Sequence, residues 1–183
     1  MEDLDGYEFE DKFVSPHNLQ SIVLAGVDEA GRGPLAGPVV AAAVILPRAP
    51  RIIGLRDSKI IPPEQREALY CEIQESALAL EVCVIDPATI DSINILEATM
   101  LAMRRCVEGL SIRPDWVLVD GNRKPGSGLR EETFVKGDSL SASIMAASII
   151  AKVTRDQIME EAHELYPVYG FSAHKGYGSQ GHF

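Results

Sequence analysis

The chain has 183 residues, of which 46% are hydrophobic and 24% are charged, and its formal net charge is −10. This length and composition are typical of one globular domain, and no apolar run approaches the ~20 residues that a membrane-spanning helix needs. The acidic balance argues against a general affinity for nucleic acid, which depends on Lys and Arg, so the local distribution of charge decides whether the protein binds a phosphate backbone.

The N-terminal segment is strongly acidic and has no basic start followed by an apolar stretch, so it does not resemble a signal peptide. We expect residues 1–20 to form a flexible tail and residues 21–183 to form a single domain. The three cysteines, Cys71, Cys83 and Cys106, are odd in number and widely spaced. This predicts buried free thiols in a reducing cytoplasm, with neither a zinc site nor a disulfide framework.

The hydrophobic patterns predict strands mixed with helices. In chain order we expect strands over 22–27 and 39–46, a helix over 64–79, a strand over 80–85, a short helix after Asp86-Pro87, a helix over 94–107, strands over 116–119 and 133–135, and a helix from Ser139 to about Glu164. Loops are expected over 47–54 and 121–132, and no regular element is expected after Tyr166. This order predicts an α/β domain around a central sheet, whose first two strands are antiparallel because the gap between them is short.

Four acids occur where predicted elements begin or end: Asp28, Glu29, Asp120 and Asp138. Carboxylates at several strand ends can converge on one spot, and their hard oxygen atoms suit Mg²⁺ or Mn²⁺. Two such ions about 4 Å apart stabilise both the attacking and the leaving oxygen in phosphodiester hydrolysis. Structural alternatives remain open at this point, because Asp138 is also suited to capping the long helix and Asp120 to an ordinary turn.

A loop rich in glycine and proline follows the first two acids. Adjacent residues on a regular strand point to opposite faces, so Asp28 and Glu29 serve one site only if the strand ends at Asp28 and the chain turns. The glycines at 31 and 33 permit that turn. The segment 31–36 also fits the letter of a dinucleotide-binding fingerprint, but Pro38 and an apolar run follow it where that fingerprint requires a helix.

Two further segments carry groups that suit contacts with nucleic acid. Asp57-Ser58-Lys59 offers a hydroxyl and an ammonium group, but from these residues alone a solvated turn is the preferred interpretation. The segment 174–178 offers a cation and the ring of Tyr177 on flexible backbone, which suits a phosphate contact and stacking on a sugar or base. A mobile C-terminal segment is the alternative there.

Taken in order, these segments resemble the ribonuclease HII family, the type 2 ribonucleases H. The resemblance is carried by Asp28-Glu29-Ala30-Gly31-Arg32-Gly33-Pro34-Leu35-Ala36-Gly37-Pro38, Asp57-Ser58-Lys59, Val119-Asp120-Gly121-Asn122, Lys136-Gly137-Asp138, Ala146-Ala147-Ser148-Ile149-Ile150-Ala151-Lys152-Val153-Thr154-Arg155-Asp156 and His174-Lys175-Gly176-Tyr177-Gly178. It implies a ribonuclease H-like α/β fold with a central mixed sheet flanked by helices. It also implies an endonuclease that cleaves the RNA strand of RNA–DNA hybrids and incises 5′ of single ribonucleotides embedded in duplex DNA.

The resemblance also implies roles for individual residues. The acids Asp28, Glu29, Asp120 and Asp138 match the carboxylates that bind two Mg²⁺ or Mn²⁺ ions, and hydrolysis leaves 3′-hydroxyl and 5′-phosphate ends. The segment Gly31-Arg32-Gly33 matches the loop that senses the 2′-hydroxyl through backbone groups. Tyr177 matches the tyrosine that packs on the neighbouring deoxyribose, and Lys59 matches a phosphate contact.

The sequence departs from the family at its C-terminus, since it stops just past the tyrosine segment where relatives continue with helical residues and a basic tail. We therefore expect weaker and more salt-sensitive substrate binding than in a longer form. A non-catalytic hybrid-binding module is the alternative function, and its signature, the loss of one or more of the four acids, is not met. We expect a monomer in the cytoplasm, with no membrane partner.

Overall fold

The structure, a computed structural model, describes residues 5–17 and 22–178. Within these residues the chain forms a five-stranded mixed sheet with the strand order β3-β2-β1-β4-β5. The strands are β1 (Leu24–Ala30), β2 (Val39–Ile45), β3 (Ala79–Ile85), β4 (Trp116–Asp120) and β5 (Arg130–Phe134). Strand β2 is antiparallel to both β1 and β3, whereas β4 runs parallel to both β1 and β5. The prediction of an α/β domain with a central mixed sheet is confirmed.

Helices cover both faces of the sheet. They are α1 (Gly6–Val14), α2 (Pro63–Ser76), α3 (Pro87–Ile93), α4 (Ile95–Gly109), α5 (Ala142–Leu165) and α6 (Phe171–His174), with short 3-10 helices at Ser15–His17, Gly137–Ser139 and Pro167–Tyr169. Strand β2 is buried along its whole length and contributes to both cores, because alternate side chains point to opposite faces. Ala42 and Val44 pack in the core that includes α2 and α5, and Ala41 and Ala43 pack in the core that includes α4.

Several element boundaries differ from the sequence-based expectations. Strand β1 continues through Ala30 instead of ending at residue 27, and β5 begins at Arg130, inside the predicted loop 121–132. Pairing with neighbouring strands explains both differences, since Ala30 pairs with Val40 of β2 and β5 pairs in register with all of β4. The region after Tyr166 also contains short helices that its irregular sequence did not predict.

The acidic N-terminal segment is not a flexible tail where the structure describes it. Helix α1 begins after Asp5, whose side chain accepts a hydrogen bond from the backbone N–H of Tyr7, and it buries Tyr7 and Val14. The predicted tail was wrong for these residues because the acids, which dominate the composition, obscured apolar positions on one helix face. Residues 1–4 and 18–21, which complete the predicted tail, lie outside the described residues.

The cysteines are free, as predicted, but they are not all buried. Cys106 is buried, Cys83 is half-buried and Cys71 is exposed on α2. Across residues 5–17 and 22–178, no helix is long and apolar enough to cross a membrane.

Candidate active site

The first two acids lie on an extension of β1 that has a neighbouring strand on one side only. Strand β1 pairs with β2 as far as Ala30, but its parallel pairing with β4 ends at Val27. The prediction that the strand ends at Asp28 was therefore wrong, and both acids belong to β1. The backbone N–H of Glu29 donates to Oδ1 of Asp28 at 2.7 Å, which orients the Asp28 carboxylate along the strand.

The other two acids lie at the neighbouring strand end and on the turn before α5. Asp120 is the last residue of β4, and Asp138 lies in the 3-10 helix Gly137–Ser139. The backbone N–H of Asp138 donates to Oδ1 of Asp120 at 3.4 Å, a long hydrogen bond that connects the two segments. Asp138 does not cap the long helix, because the Ser141 side chain accepts from the N–H of Ile144 instead.

The charges of these acids act on one another. Burial, followed by the charges of Glu29 and Asp120, raises the pKa of Asp28 well above its usual range, although a hydrogen bond from Ser148 opposes the increase. Burial and the charge of Asp120 likewise raise the pKa of Glu29. Burial and the charge of Asp138 raise the pKa of Asp120. Charge interactions therefore link Asp28 and Glu29, which are adjacent on β1, with Asp120, and link Asp120 with Asp138.

The carboxylate oxygens of these acids are suited to divalent cations, but the side chains are not already arranged around a single ion. Across the described ranges 5–17 and 22–178, no three carboxylate, imidazole or thiol side chains are arranged to hold a single metal ion. Asp138 is instead paired with Lys59, whose Nζ lies 2.9 Å from Oδ2. Closely spaced carboxylates repel one another without a cation, and a bound ion would reverse that repulsion. Carboxylate oxygens are the hard donors that Mg²⁺ and Mn²⁺ prefer.

The segment around Lys59 is held against the rest of the candidate site by hydrogen bonds. Ser58 is buried, so the alternative of a solvated turn was wrong for this residue. The Ser58 hydroxyl lies 2.9 Å from the hydroxyl of Ser148 on α5, and Nε of Arg66 donates to the Ser58 carbonyl at 2.8 Å. The side chain of Lys59 remains 74% exposed. Its ammonium group therefore lies at the edge of the acid cluster and faces solvent.

The glycine loop is held by a buried arginine that sequence reasoning did not single out. Arg155 of α5 donates to three backbone carbonyls: Nε to Pro38 at 3.0 Å, Nη2 to Ala36 at 2.9 Å and Nη1 to Lys175 at 2.9 Å. Burial lowers the pKa of its guanidinium group. The available signal was its helical spacing, since Ala151, Ile158 and Met159 lie three or four residues away on the same face and a charge among apolar side chains requires partners.

The same contacts bring Tyr177 to the glycine loop. The backbone N–H of Leu35 donates to the carbonyl of Gly176 at 2.9 Å. A Cβ atom placed on Gly33 would lie 3.9 Å from Cε1 of Tyr177, and the Tyr177 ring centroid lies 5.8 Å from the Arg155 guanidinium carbon. The loop and the tyrosine thus form one surface, with Arg32 exposed beside it. The dinucleotide-binding alternative was wrong, because strand β2 follows this loop where a helix is required.

Comparisons with known proteins agree with this arrangement. The family model for ribonuclease HII matches residues 25–183. Ribonuclease HII of Acidovorax sp. (strain JS42) is 58% identical over 160 residues, which cover 87% of this chain and 77% of that protein.

Solved structures show the same fold. Ribonuclease H2 from Pyrococcus horikoshii OT3 matches with a TM-score of 0.75 and 32% identity, covering 87% of this chain and 82% of that one. Ribonuclease HII of Archaeoglobus fulgidus, solved in complex with PCNA, matches with a TM-score of 0.75 and 30% identity, covering 87% and 83% of the two chains. The chain therefore belongs to the ribonuclease HII family, and it is a metal-dependent endoribonuclease that cleaves RNA–DNA hybrids and excises ribonucleotides from DNA.

Proposed function

We propose that Asp28, Glu29, Asp120 and Asp138 bind two divalent cations, Mg²⁺ or Mn²⁺, and that this cluster is the catalytic centre. The observation that carries the proposal is the arrangement of the acids: Asp28 and Glu29 are adjacent near the end of β1, and the backbone N–H of Asp138 donates to Oδ1 of Asp120 at the end of β4. Burial and like charges raise the pKa values of Asp28, Glu29 and Asp120, as expected for carboxyl groups that lie close together without a cation. When bound, the cations supply Lewis-acid stabilisation of the attacking and leaving oxygens of the phosphodiester. Asp28 is proposed to contact both ions, because it is buried and its charge interacts with the charges of both Glu29 and Asp120.

The backbone of Gly31-Arg32-Gly33 is proposed to select the ribonucleotide. The 2′-hydroxyl is the feature of the sugar that distinguishes RNA from DNA at a single position. Main-chain groups at Gly33 can approach a sugar closely because this exposed residue lacks a side chain, whereas the space beside Gly31 is filled by the Pro38 carbonyl and Arg155. The attachment of the loop to α5 through Arg155 supports this role, since a loop without fixed geometry would discriminate poorly between a ribonucleotide and a deoxyribonucleotide.

Tyr177 and Lys59 are proposed to bind the substrate on either side of the reacting phosphate. Tyr177 packs on the deoxyribose beside the ribonucleotide, which its 44% exposure and its position next to Gly33 support. Lys59 donates to a phosphate oxygen, since its exposed ammonium group has three N–H donors and only one of them is directed to Asp138.

The test is an end-labelled DNA duplex that contains one ribonucleotide, incubated with Mg²⁺, with Mn²⁺ and with EDTA. We expect a single metal-dependent nick 5′ of the ribonucleotide that leaves 3′-hydroxyl and 5′-phosphate ends, and no cleavage of an all-DNA duplex. Cleavage on the 3′ side, or cleavage that persists in EDTA, would contradict the proposed centre.

The physical state of the protein is also part of the proposal. We propose a monomer, because the described apolar clusters are formed within one chain. A cytoplasmic location is supported by the three free cysteines, which a reducing compartment maintains. Light scattering at working concentration tests the first point, and a dimeric mass would contradict it.

A further inference from the structure

Helix α1 precedes the part of the chain that matches the family, yet it packs against residues that neighbour two of the site acids, Asp120 and Asp138. The family match begins at residue 25, and α1 spans Gly6–Val14. The backbone of its first turn packs closely against the backbone at the start of α5. A Cβ atom on Gly6 would lie 2.6 Å from the backbone nitrogen of Ala142, so any other residue would push the helix away.

The carboxylate of Glu10 connects α1 to the beginning of α5. Oε1 of Glu10 accepts hydrogen bonds from the Ser141 hydroxyl at 2.6 Å and from the backbone N–H of Ser143 at 2.7 Å. The first N–H groups of a helix have no partner within it, and an anion is favoured there. Glu10 is only 8% exposed, and burial raises the pKa of its carboxyl group, although the hydrogen bonds from Ser141 and Ser143 oppose the increase.

Ser141 connects Glu10 to the turn that carries Asp138. The backbone N–H of Ser141 donates to the carbonyl of Gly137 at 3.0 Å, and this hydrogen bond spans the 3-10 helix in which Asp138 lies. A shift of Ser141 is therefore a shift of that turn. Two hydrogen bonds in sequence, from the Ser141 hydroxyl to Glu10 and from the Ser141 N–H to Gly137, connect the N-terminal helix to the turn that carries Asp138.

Aromatic contacts connect the same helix to Asp120. The rings of Phe9 and Phe13 pack edge-on against Phe134, with centroids 5.2 and 5.9 Å away. Phe134 is the register partner of Asp120 in the parallel pair β4–β5, and its carbonyl accepts from the N–H of Gly121 at 2.9 Å. Helix α1 thus contacts the immediate supports of two site acids.

We propose that α1 positions the Asp120 and Asp138 carboxylates for cation binding, and that Glu10 is its principal positioning residue. This inference rests on the proposed role of those carboxylates as cation ligands. Substitution of a residue that orients a metal ligand without touching the metal commonly lowers metal affinity. Small displacements of the ligands from their binding geometry also weaken metal binding. An N-terminal helix that served only to add buried area would stabilise the fold without changing the affinity for cations.

The experiment measures Mn²⁺ binding to the full chain by calorimetry, the Tm increase that Mn²⁺ produces, and cleavage of a hybrid duplex over a range of Mn²⁺ concentrations. We expect Glu10→Ala to weaken Mn²⁺ binding and to raise the Mn²⁺ concentration for half-maximal cleavage by about tenfold, with the KM for the duplex changed less than about twofold. Glu10→Gln retains one oxygen acceptor in the same shape, and we expect it to recover most of the lost affinity.

Two further variants separate positioning from stability. Gly6→Ala keeps the carboxylate but displaces the helix from Ala142, so it should weaken Mn²⁺ binding in the same direction even if Glu10→Ala does not fold. Asp11→Ala is the matched control, because Asp11 lies on the same helix and pairs with Arg48 and Arg51 at an exposed position. We expect Asp11→Ala to bind Mn²⁺ like the wild type.

The outcomes are distinguishable. If Glu10→Ala and Gly6→Ala lower the metal-free Tm but leave Mn²⁺ affinity within about twofold of wild type, α1 is only a stabilising element and the inference is overturned. If Asp138→Asn leaves Mn²⁺ affinity and cleavage unchanged, the proposed centre fails instead, whatever the α1 variants do.

Discussion

The most demanding prediction concerns Arg155, which joins the glycine loop to the Tyr177 turn. Its side chain is 1% exposed and donates to the carbonyls of Pro38, Ala36 and Lys175 at 2.9–3.0 Å. Arg155→Met keeps an unbranched stem of similar length but removes every donor. The main loss is therefore in hydrogen bonds and not in packing.

The expected magnitude follows from the three carbonyls that lose their donor. A hydrogen bond from a charged group contributes about 1.5–3 kcal/mol, and the cost of burying the guanidinium offsets part of the total. We therefore expect Arg155→Met to lower the free energy of unfolding by about 3–5 kcal/mol, which for a domain of this size lowers the Tm by roughly 10 °C. Arg155→Lys keeps the charge but cannot span the three carbonyls, and it should be intermediate.

The assay combines thermal unfolding in EDTA with kcat/KM on two substrates, a DNA duplex containing one ribonucleotide and a continuous RNA–DNA hybrid. We expect cleavage of the single-ribonucleotide duplex to fall more than cleavage of the hybrid, because the displaced loop and tyrosine meet only one 2′-hydroxyl in the first substrate. A Tm within about 2 °C of wild type, together with an unchanged ratio of the two kcat/KM values, would refute this reasoning.

Three further predictions use separate contacts. Gly176→Ala should impair ribonucleotide recognition, because the new Cβ atom would lie 2.2 Å from the carbonyl oxygen of Ala36 in the glycine loop. Gly128→Ala is the control, since Gly128 has a similarly positive φ but no atom within 4 Å of its Cβ position. We expect this variant to cleave normally in the same kinetic assay. Lys59→Met should raise the KM for hybrid measured in steady-state kinetics and reduce the salt dependence of binding, because one phosphate contact is lost. Burial and like charges raise the pKa of Asp28 in the folded state, so its stabilising contribution is full below the unfolded pKa and is lost as pH rises through the raised value. Asp28→Asn should therefore increase the metal-free Tm at alkaline pH, measured by calorimetry in EDTA, and an unchanged Tm there would count against the assignment.

The sequence was sufficient to predict the order of most elements. Strong local signals account for this success. Asn94, for example, was expected to start a helix, and its side chain accepts from the N–H groups of Leu96 and Glu97 at the start of α4. The continuous apolar run of β2 likewise predicted a strand, and it is buried throughout.

Longer-range contacts explain what the sequence did not predict. Strand β1 continues through two acids and an alanine, residues with low strand preference, because Ala42, Ala41 and Val40 of β2 pair with them. Arg155 contacts Pro38, which is 117 positions away in the chain, and no local pattern encodes that partner. Helix α1 was missed because Glu10 looked like one more solvated acid, and its partner Ser141 is 131 positions away.

The central claim is that the four carboxylates form the catalytic centre, and Asp28 tests it most directly. We would compare wild-type protein with Asp28→Asn on the single-ribonucleotide duplex in Mg²⁺, and measure hybrid binding and Mn²⁺ affinity on the same preparations. The account predicts that cleavage falls by at least about 100-fold and that Mn²⁺ binding weakens, while the folded variant still binds the hybrid. Full cleavage by Asp28→Asn with Mg²⁺ would contradict it.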